Sequence, residues 1–128
     1  MSQAHPFSQA DKALISTIAH RVRMDQEKEI LARSIRLEEA RLEARRVSES
    51  LASLEGVRRV IHFGSSATGR GFRLDSDIDL AISGGDLLEA MGVAENSAFH
   101  VDVIDIDRVP SPLRESILEE GVVVHEVA

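Results

Sequence analysis

The chain has 128 residues, 15 Lys and Arg against 22 Asp and Glu, a net charge of −7, and no Cys, Trp or Tyr. That is the length of one domain with at most an appended helix. The lack of Cys excludes a disulfide scaffold and a thiolate nucleophile and fits a reducing compartment. No apolar run approaches the roughly 18 residues of a membrane span. The opening MSQAHPFSQADK has no apolar signal segment. The expectation is a soluble cytoplasmic protein. The charge is uneven: residues 1–55 hold nine basic and nine acidic residues, residues 56–128 six and thirteen. An acidic half repels a nucleic-acid backbone, which argues against a duplex-binding module, and it suits carboxylates gathered around a divalent metal.

Between Phe7 and Gly56 there is neither Pro nor Gly. Ala10, Leu14, Ile18 and Val22 recur at steps of four, an amphipathic helical stripe that Ser8 or Asp11 can cap. The following MDQEKEILARSIRLEEARLEARRVSESLASLEG is rich in strong helix formers. Ile30, Leu37, Ala44 and Leu51 repeat every seven residues, but the companion positions Ser34, Arg41 and Ser48 are polar, a poor coiled-coil seam. Pairs such as Glu29–Arg33 support an exposed helix. The reading is one or two helices ending at Gly56, with residues 22–26 as the place for a break. The expected division is an N-terminal helical extension over residues 1–55 and a second domain over residues 56–128.

After Gly56 the period changes. VRRVIHF (57–63) reads as a strand, Ser65–Thr68 as a short helix and GRGFRLDS as a loop. DIDLAIS (77–83) alternates strictly and reads as a second strand ended by Gly84–Gly85. DLLEAMG (86–92) suits a short helix closed by Gly92, and FHVDVIDID (99–107) a third strand. In VPSPLRESILEEG, Ser111 caps, Pro112 opens and Gly121 closes a helix. VVVHEV (122–127) is a last short strand. The fold class is α/β (α+β), a small mixed sheet with helices on one side and a long helical N-terminus.

The chemistry lies in HFGSSATGRGFRLDSDIDLAI (62–82). Gly64, four residues and Gly69 mimic a phosphate-binding loop, but Arg70 and Gly71 stand where its Lys and Ser or Thr belong. Strand residues two apart share a face, so Asp77 and Asp79 project together. Two such carboxylates repel, and oxygen ligands of this kind suit Mg2+ together with substrate phosphates. Asp102 has the same apolar–acid–apolar setting as Asp79. If the two strands are neighbours, Asp102 joins the pair, and three carboxylates can hold two metal ions for an in-line phosphoryl displacement. Gly64–Ser65 offers backbone N–H groups and a hydroxyl to a polyphosphate.

Gly64–Ser65, eleven residues, Asp77–Ile78–Asp79–Leu80 and then Asp102 between valines resemble the nucleotidyltransferase fold of the DNA polymerase beta superfamily over roughly residues 50–128. Ser76, Gly69 and the Glu119–Val122 run also match. The small size resembles the minimal nucleotidyltransferases of prokaryotes, many of them encoded beside HEPN-type proteins and acting as antitoxins. The resemblance implies that Asp77 and Asp79 are metal ligands. It implies that Asp102 completes the metal site and helps activate the acceptor, and that Gly64 and Ser65 hold the triphosphate. It further implies Mg2+-dependent transfer of a nucleoside monophosphate, AMP from ATP, onto a hydroxyl of a partner protein, typically a tyrosine of a HEPN toxin. Family members often carry Arg soon after Gly-Ser, where this chain has Ser66 and Thr68; Arg70 and Arg73 are the candidates to supply that charge. Residues 84–98 are short for the helix usually found there.

Asp75 reads as a loop cap, and Asp105 and Asp107 as solvated. His62 reads as a packed histidine, and His5, His20, His100 and His125 as structural. A helix of some 45 residues is about 65 Å long, too long for a domain of this size, so part of it folds back or projects and serves self-association or toxin binding. The rival function is an inactive antitoxin that neutralises its partner through this helix. Antibiotic modification and RNA polymerisation rank lower, for want of a C-terminal acceptor domain and of a basic or aromatic platform.

Overall fold

A computed structural model describes residues 7–127. His5 lies outside the described residues. The first element, α1, runs without interruption from Gln9 to Ala52, 44 residues, about 66 Å at 1.5 Å per residue. Its start is the expected one: the Ser8 hydroxyl accepts from Asp11 N at 3.1 Å and Ser8 N donates to Asp11 at 3.0 Å, a capping box. No break occurs at residues 22–26, because that stretch has no residue that interrupts the backbone ladder. From Gln9 to Ile35 only Ala19 is even half-buried. The helix therefore projects. Ion pairs along it form at a spacing of three, Arg36–Glu39 and Glu43–Arg46, rather than at Glu29–Arg33.

The last third of α1 is built into the domain. Ala40, Ala44, Val47 and Leu51 are buried, with Leu37 packed beside them. The heptad positions Leu37, Ala44 and Leu51 thus join the core of the domain, with its sheet, α3 and Phe72, rather than a coiled-coil partner, which explains the poor coiled-coil pattern. The helix stops at Ala52, short of Gly56. Gly56 instead lies in the turn that meets Gly84 and Gly85, and a Cβ on Gly84 would overlap the Gly56 carbonyl.

Four strands follow: β1 (Arg59–Phe63), β2 (Ile78–Ser83), β3 (Val101–Asp105) and β4 (Val122–Glu126). Their order is β3-β2-β1-β4. β1 is antiparallel to both β2 and β4, while β2 and β3 are parallel. The parallel pair needs a crossover, supplied by α3 (Leu87–Ala94). The Asp86 carboxylate accepts from Glu89 N to start α3. Gly92 lies inside α3 rather than closing it; Ala90 and Ala94, both fully buried, hold the turn around it.

Helices cover both faces of the sheet, not one. Val60, Ile78, Leu80, Ile82 and Val103 pack under α1 and α3. On the opposite face Ile61, Ala81 and Ile106 meet Ile117 of α4 (Ser111–Glu120). The alternate strand residues Ile61, Ala81 and Ile104 are apolar too, so this second face also needs a cover. Pro110, not Ser111, stands at the cap of α4 and gives no side-chain cap. Arg114 reaches back instead, donating to the carbonyls of Ile106, Asp107 and Val109 at 3.0–3.2 Å. Among the described residues no helix is long and apolar enough to cross a membrane.

Candidate active site

α4 covers only part of its face, and the uncovered part carries the acids. In the parallel pair Asp79 stands directly opposite Asp102. The strands that carry them are neighbours, which places Asp102 beside Asp79, and Asp77 immediately precedes β2 on the same side. Burial pushes the Asp79 carboxyl up to about 6, reinforced by Asp102 and Asp77 and opposed by His100. Carboxylates held in this way destabilise one another unless a cation or a proton joins them.

His100 belongs to this group, contrary to the structural role its sequence suggests. Its Nδ1 lies 3.3 Å from Asp77 Oδ2 and 3.7 Å from Asp102 Oδ1. Donor atoms of Asp77, His100 and Asp102 all lie within 4.8 Å of one another. The signal was present in the sequence as His-x-Asp at the mouth of a strand, since residues two apart share a side.

The Gly-Ser turn meets the acids from the other side. β1 ends at Phe63, which pairs with Asp79. Gly64 follows with φ 79° and ψ −166° and opens the single turn α2 (Ser65–Thr68). That backbone conformation is open to glycine almost alone. A Cβ on Gly64 would also overlap Asp79 Oδ2. The glycine thus joins the turn to Asp79 at van der Waals distance, with Ser65 as the next residue.

The turn is held from beneath by a residue the sequence did not single out. The Arg41 guanidinium, on α1, donates to the carbonyls of Ser66 (3.2 Å) and Ala67 (2.9 Å). Ser66 is fully buried, and its hydroxyl bonds His62 Nε2 at 2.7 Å. Burial, and then the Arg41 charge, push His62 down to about 4, so it is a neutral packing group. Arg41 could have been recognised as a basic residue on the apolar seam of α1.

Arg70 and Arg73 are on the surface. Arg70 pairs with Glu120 at 3.1 Å and Arg73 with Asp75 at 3.5 Å. The loop is closed by Ser76, whose hydroxyl accepts from Arg73 N at 2.8 Å. Asp105 bonds Asp107 N, and Asp107 accepts from the Ser83 hydroxyl at 2.9 Å. These two acids serve the end of the sheet.

β3 is an edge strand, and a cavity of about 600 Å³ opens around it, bounded by Phe63, Asp79, Met91, His100, Asp102 and Leu113. The segment before β3 is moored to α1. The Ser97 hydroxyl donates to Glu43 at 2.5 Å, and the Arg36 guanidinium lies 3.8 Å from the Phe99 ring centre. Arg46, with Ser97 adding to it, holds Glu43 down at about 2.

The family described as Polymerase beta, Nucleotidyltransferase matches residues 45–127. Among curated proteins no significant match is found. Among solved structures the chain is similar to a toxin–antitoxin crystallised with AMP-PNP, at 21% identity and TM-score 0.53, covering 66% of this chain and 73% of that one. It is similar to the toxin–antitoxin MntA-HepT, at 18% identity and TM-score 0.51, covering 68% and 73%. It is also similar to a complex of a tri-AMPylated Shewanella oneidensis HEPN toxin with MNT antitoxin, at 18% identity and TM-score 0.52, covering 69% and 73%. At these identities the likeness is one of fold.

Proposed function

Because the chain belongs to the Polymerase beta, Nucleotidyltransferase family, we propose that it transfers AMP from ATP to a hydroxyl of a partner protein, as the antitoxin of a HEPN toxin pair. The observation that carries this reading is the grouping of Asp77 and Asp102 beside Asp79, which stands opposite Asp102 in the parallel pair and against Gly64. The fold is similar to that of an antitoxin complexed with an AMPylated HEPN toxin, which supports the choice of nucleotide and acceptor. A cytoplasmic setting accords with the use of ATP.

The donor set fits Mg2+: three carboxylates share one face, and burial, with Asp102 and Asp77 adding to it, raises Asp79. Asp77, Asp79 and Asp102 would hold the ion, which when bound supplies charge neutralisation at the reacting phosphate and at the leaving pyrophosphate. Gly64 brings the triphosphate against the backbone, and the Ser65 hydroxyl donates to it. Asp102, the more exposed acid at the sheet edge, receives the acceptor's proton. The acceptor oxygen then bonds the α-phosphorus, the bond from that phosphorus to the bridging oxygen breaks, and pyrophosphate leaves. Arg70 and Arg73 sit in exposed ion pairs that long side chains exchange readily. In this reading they turn to the triphosphate when it binds. The exposed Leu14, Ile18 and Val22 stripe of α1 serves contact with the partner or a second copy.

The test is label transfer. The purified protein is incubated with ATP labelled at the α-phosphate, Mg2+ and a lysate of its host. A labelled band that disappears with Asp77→Asn supports the reading and identifies the acceptor. Undiminished labelling by that variant overturns it. Tight capture of a lysate protein without labelling favours a neutralising binding module working through α1.

A further inference from the structure

The geometry points to His100 as a nitrogen ligand of the acidic site, one that makes it prefer a first-row divalent ion such as Mn2+ over Mg2+. This inference rests on the metal role proposed for the three aspartates and adds to it the identity of the ion.

Donors that share an ion at about 2.0–2.2 Å stand about 3 Å apart when adjacent and about 4.2 Å apart when opposed. The 3.3 and 3.7 Å separations of His100 Nδ1 from Asp77 Oδ2 and Asp102 Oδ1 fall inside that interval. The longer of the two is beyond a hydrogen bond. The backbone at His100 is fixed, since Ile78 N donates to its carbonyl at 3.0 Å, extending the parallel ladder. Its side chain is 68% exposed, with Asp77 and Asp102 as its ionic neighbours. The ring is therefore placed by the strand but not spent on packing.

Carboxylates serve Mg2+ and Mn2+ alike. An imidazole discriminates, because Mg2+ takes oxygen donors and keeps its water, while first-row ions accept nitrogen. The carboxylates alone form an oxygen site; with His100 the site becomes a mixed one. His100 lies at the outer end of β3, next to Phe99, whose ring carries the Arg36 contact. The exposed His100 and the half-buried Asp79 both line the same cavity.

The full chain is titrated with Mn2+ alone and examined by pulsed electron paramagnetic resonance. Wild type should show nitrogen modulation from a coordinated imidazole, and His100→Ala should lose it. The same substitution should lower the preference for Mn2+ over Mg2+ by at least about tenfold, the lower end of what loss of even an indirect metal partner costs. His100→Gln, which restores an oxygen donor, should bind Mn2+ without the modulation. Bound Mn2+ without nitrogen coupling, or an unchanged preference in His100→Ala, overturns the inference while Mg2+-dependent label transfer can still stand. Absence of any Mn2+ binding to wild type overturns this inference and the metal role together.

Discussion

Asp79 is the residue at which structure and chemistry are most tightly joined. Its carboxyl is raised to about 6 and His62 is lowered to about 4, so the two act oppositely in the same window. An acid whose folded pKa lies above its unfolded one binds extra protons when folded, so its contribution to stability falls as pH rises from about 4 to 6. A histidine lowered by folding does the reverse, and stability is lost as pH falls from about 6.5 to 4. In chelator, the two slopes should therefore largely offset one another in wild type above about pH 5, below which the lowered Glu43 adds a loss of stability. Asp79→Asn should melt higher at pH 7 and show the unmasked His62 slope, losing stability below about pH 6. Calorimetry at pH 4.5, 5.5 and 7 checks this, and parallel slopes for the two proteins would refute it. Gly64→Ala should cost about 1–3 kcal/mol from its backbone conformation alone. It should also lower metal affinity, because the new Cβ displaces Asp79; denaturant titration and Mn2+ binding report the two effects separately.

Of the elements, α1 does two jobs with one sequence. Leu51 is fully buried against the sheet, and Leu51→Ala should cost about 2–5 kcal/mol. Arg41→Ala should cost about 2 kcal/mol, since it removes charged donors from two α2 carbonyls. Arg33→Ala, on an exposed stretch, should stay within about 0.5 kcal/mol. Urea unfolding of the three variants gives the order directly. The strands and the Asp77, Asp79 and Gly64 arrangement were legible because they rest on local patterns, namely strict alternation, a glycine at a strand end and paired acids two apart. Arg41 and Phe72 were not, because their meaning is tertiary. Arg41 bonds residues 25 and 26 positions away, and Phe72, in a loop of polar and glycine residues, is buried in the main core. His100 was legible in principle, but a lone histidine has no metal-ligand spacing of its own. The position of α4 escaped because short apolar alternations in a strand do not say which face a later helix will cover.

At the scale of the molecule the projecting helix sets the shape. Solution scattering should give a longest dimension of at least about 65 Å, and a compact particle would contradict the projection. Removal of residues up to 26 should leave a cooperatively unfolding domain whose melting temperature changes by only a few degrees, because none of residues 7–26 is buried. Circular dichroism should register the lost helix while the Mn2+ site stays intact. Within two turns of α1, Arg41 grips α2, and Arg36 and Glu43 grip Phe99 and Ser97 before β3. Mechanically, α1 is a beam clamped at one end, with α2 and the segment before β3 both bolted to the clamp. Torque applied at the free tip arrives at both through the same short span of helix. α2 and the segment before β3 thus share one anchor, the span Arg36–Glu43 of α1.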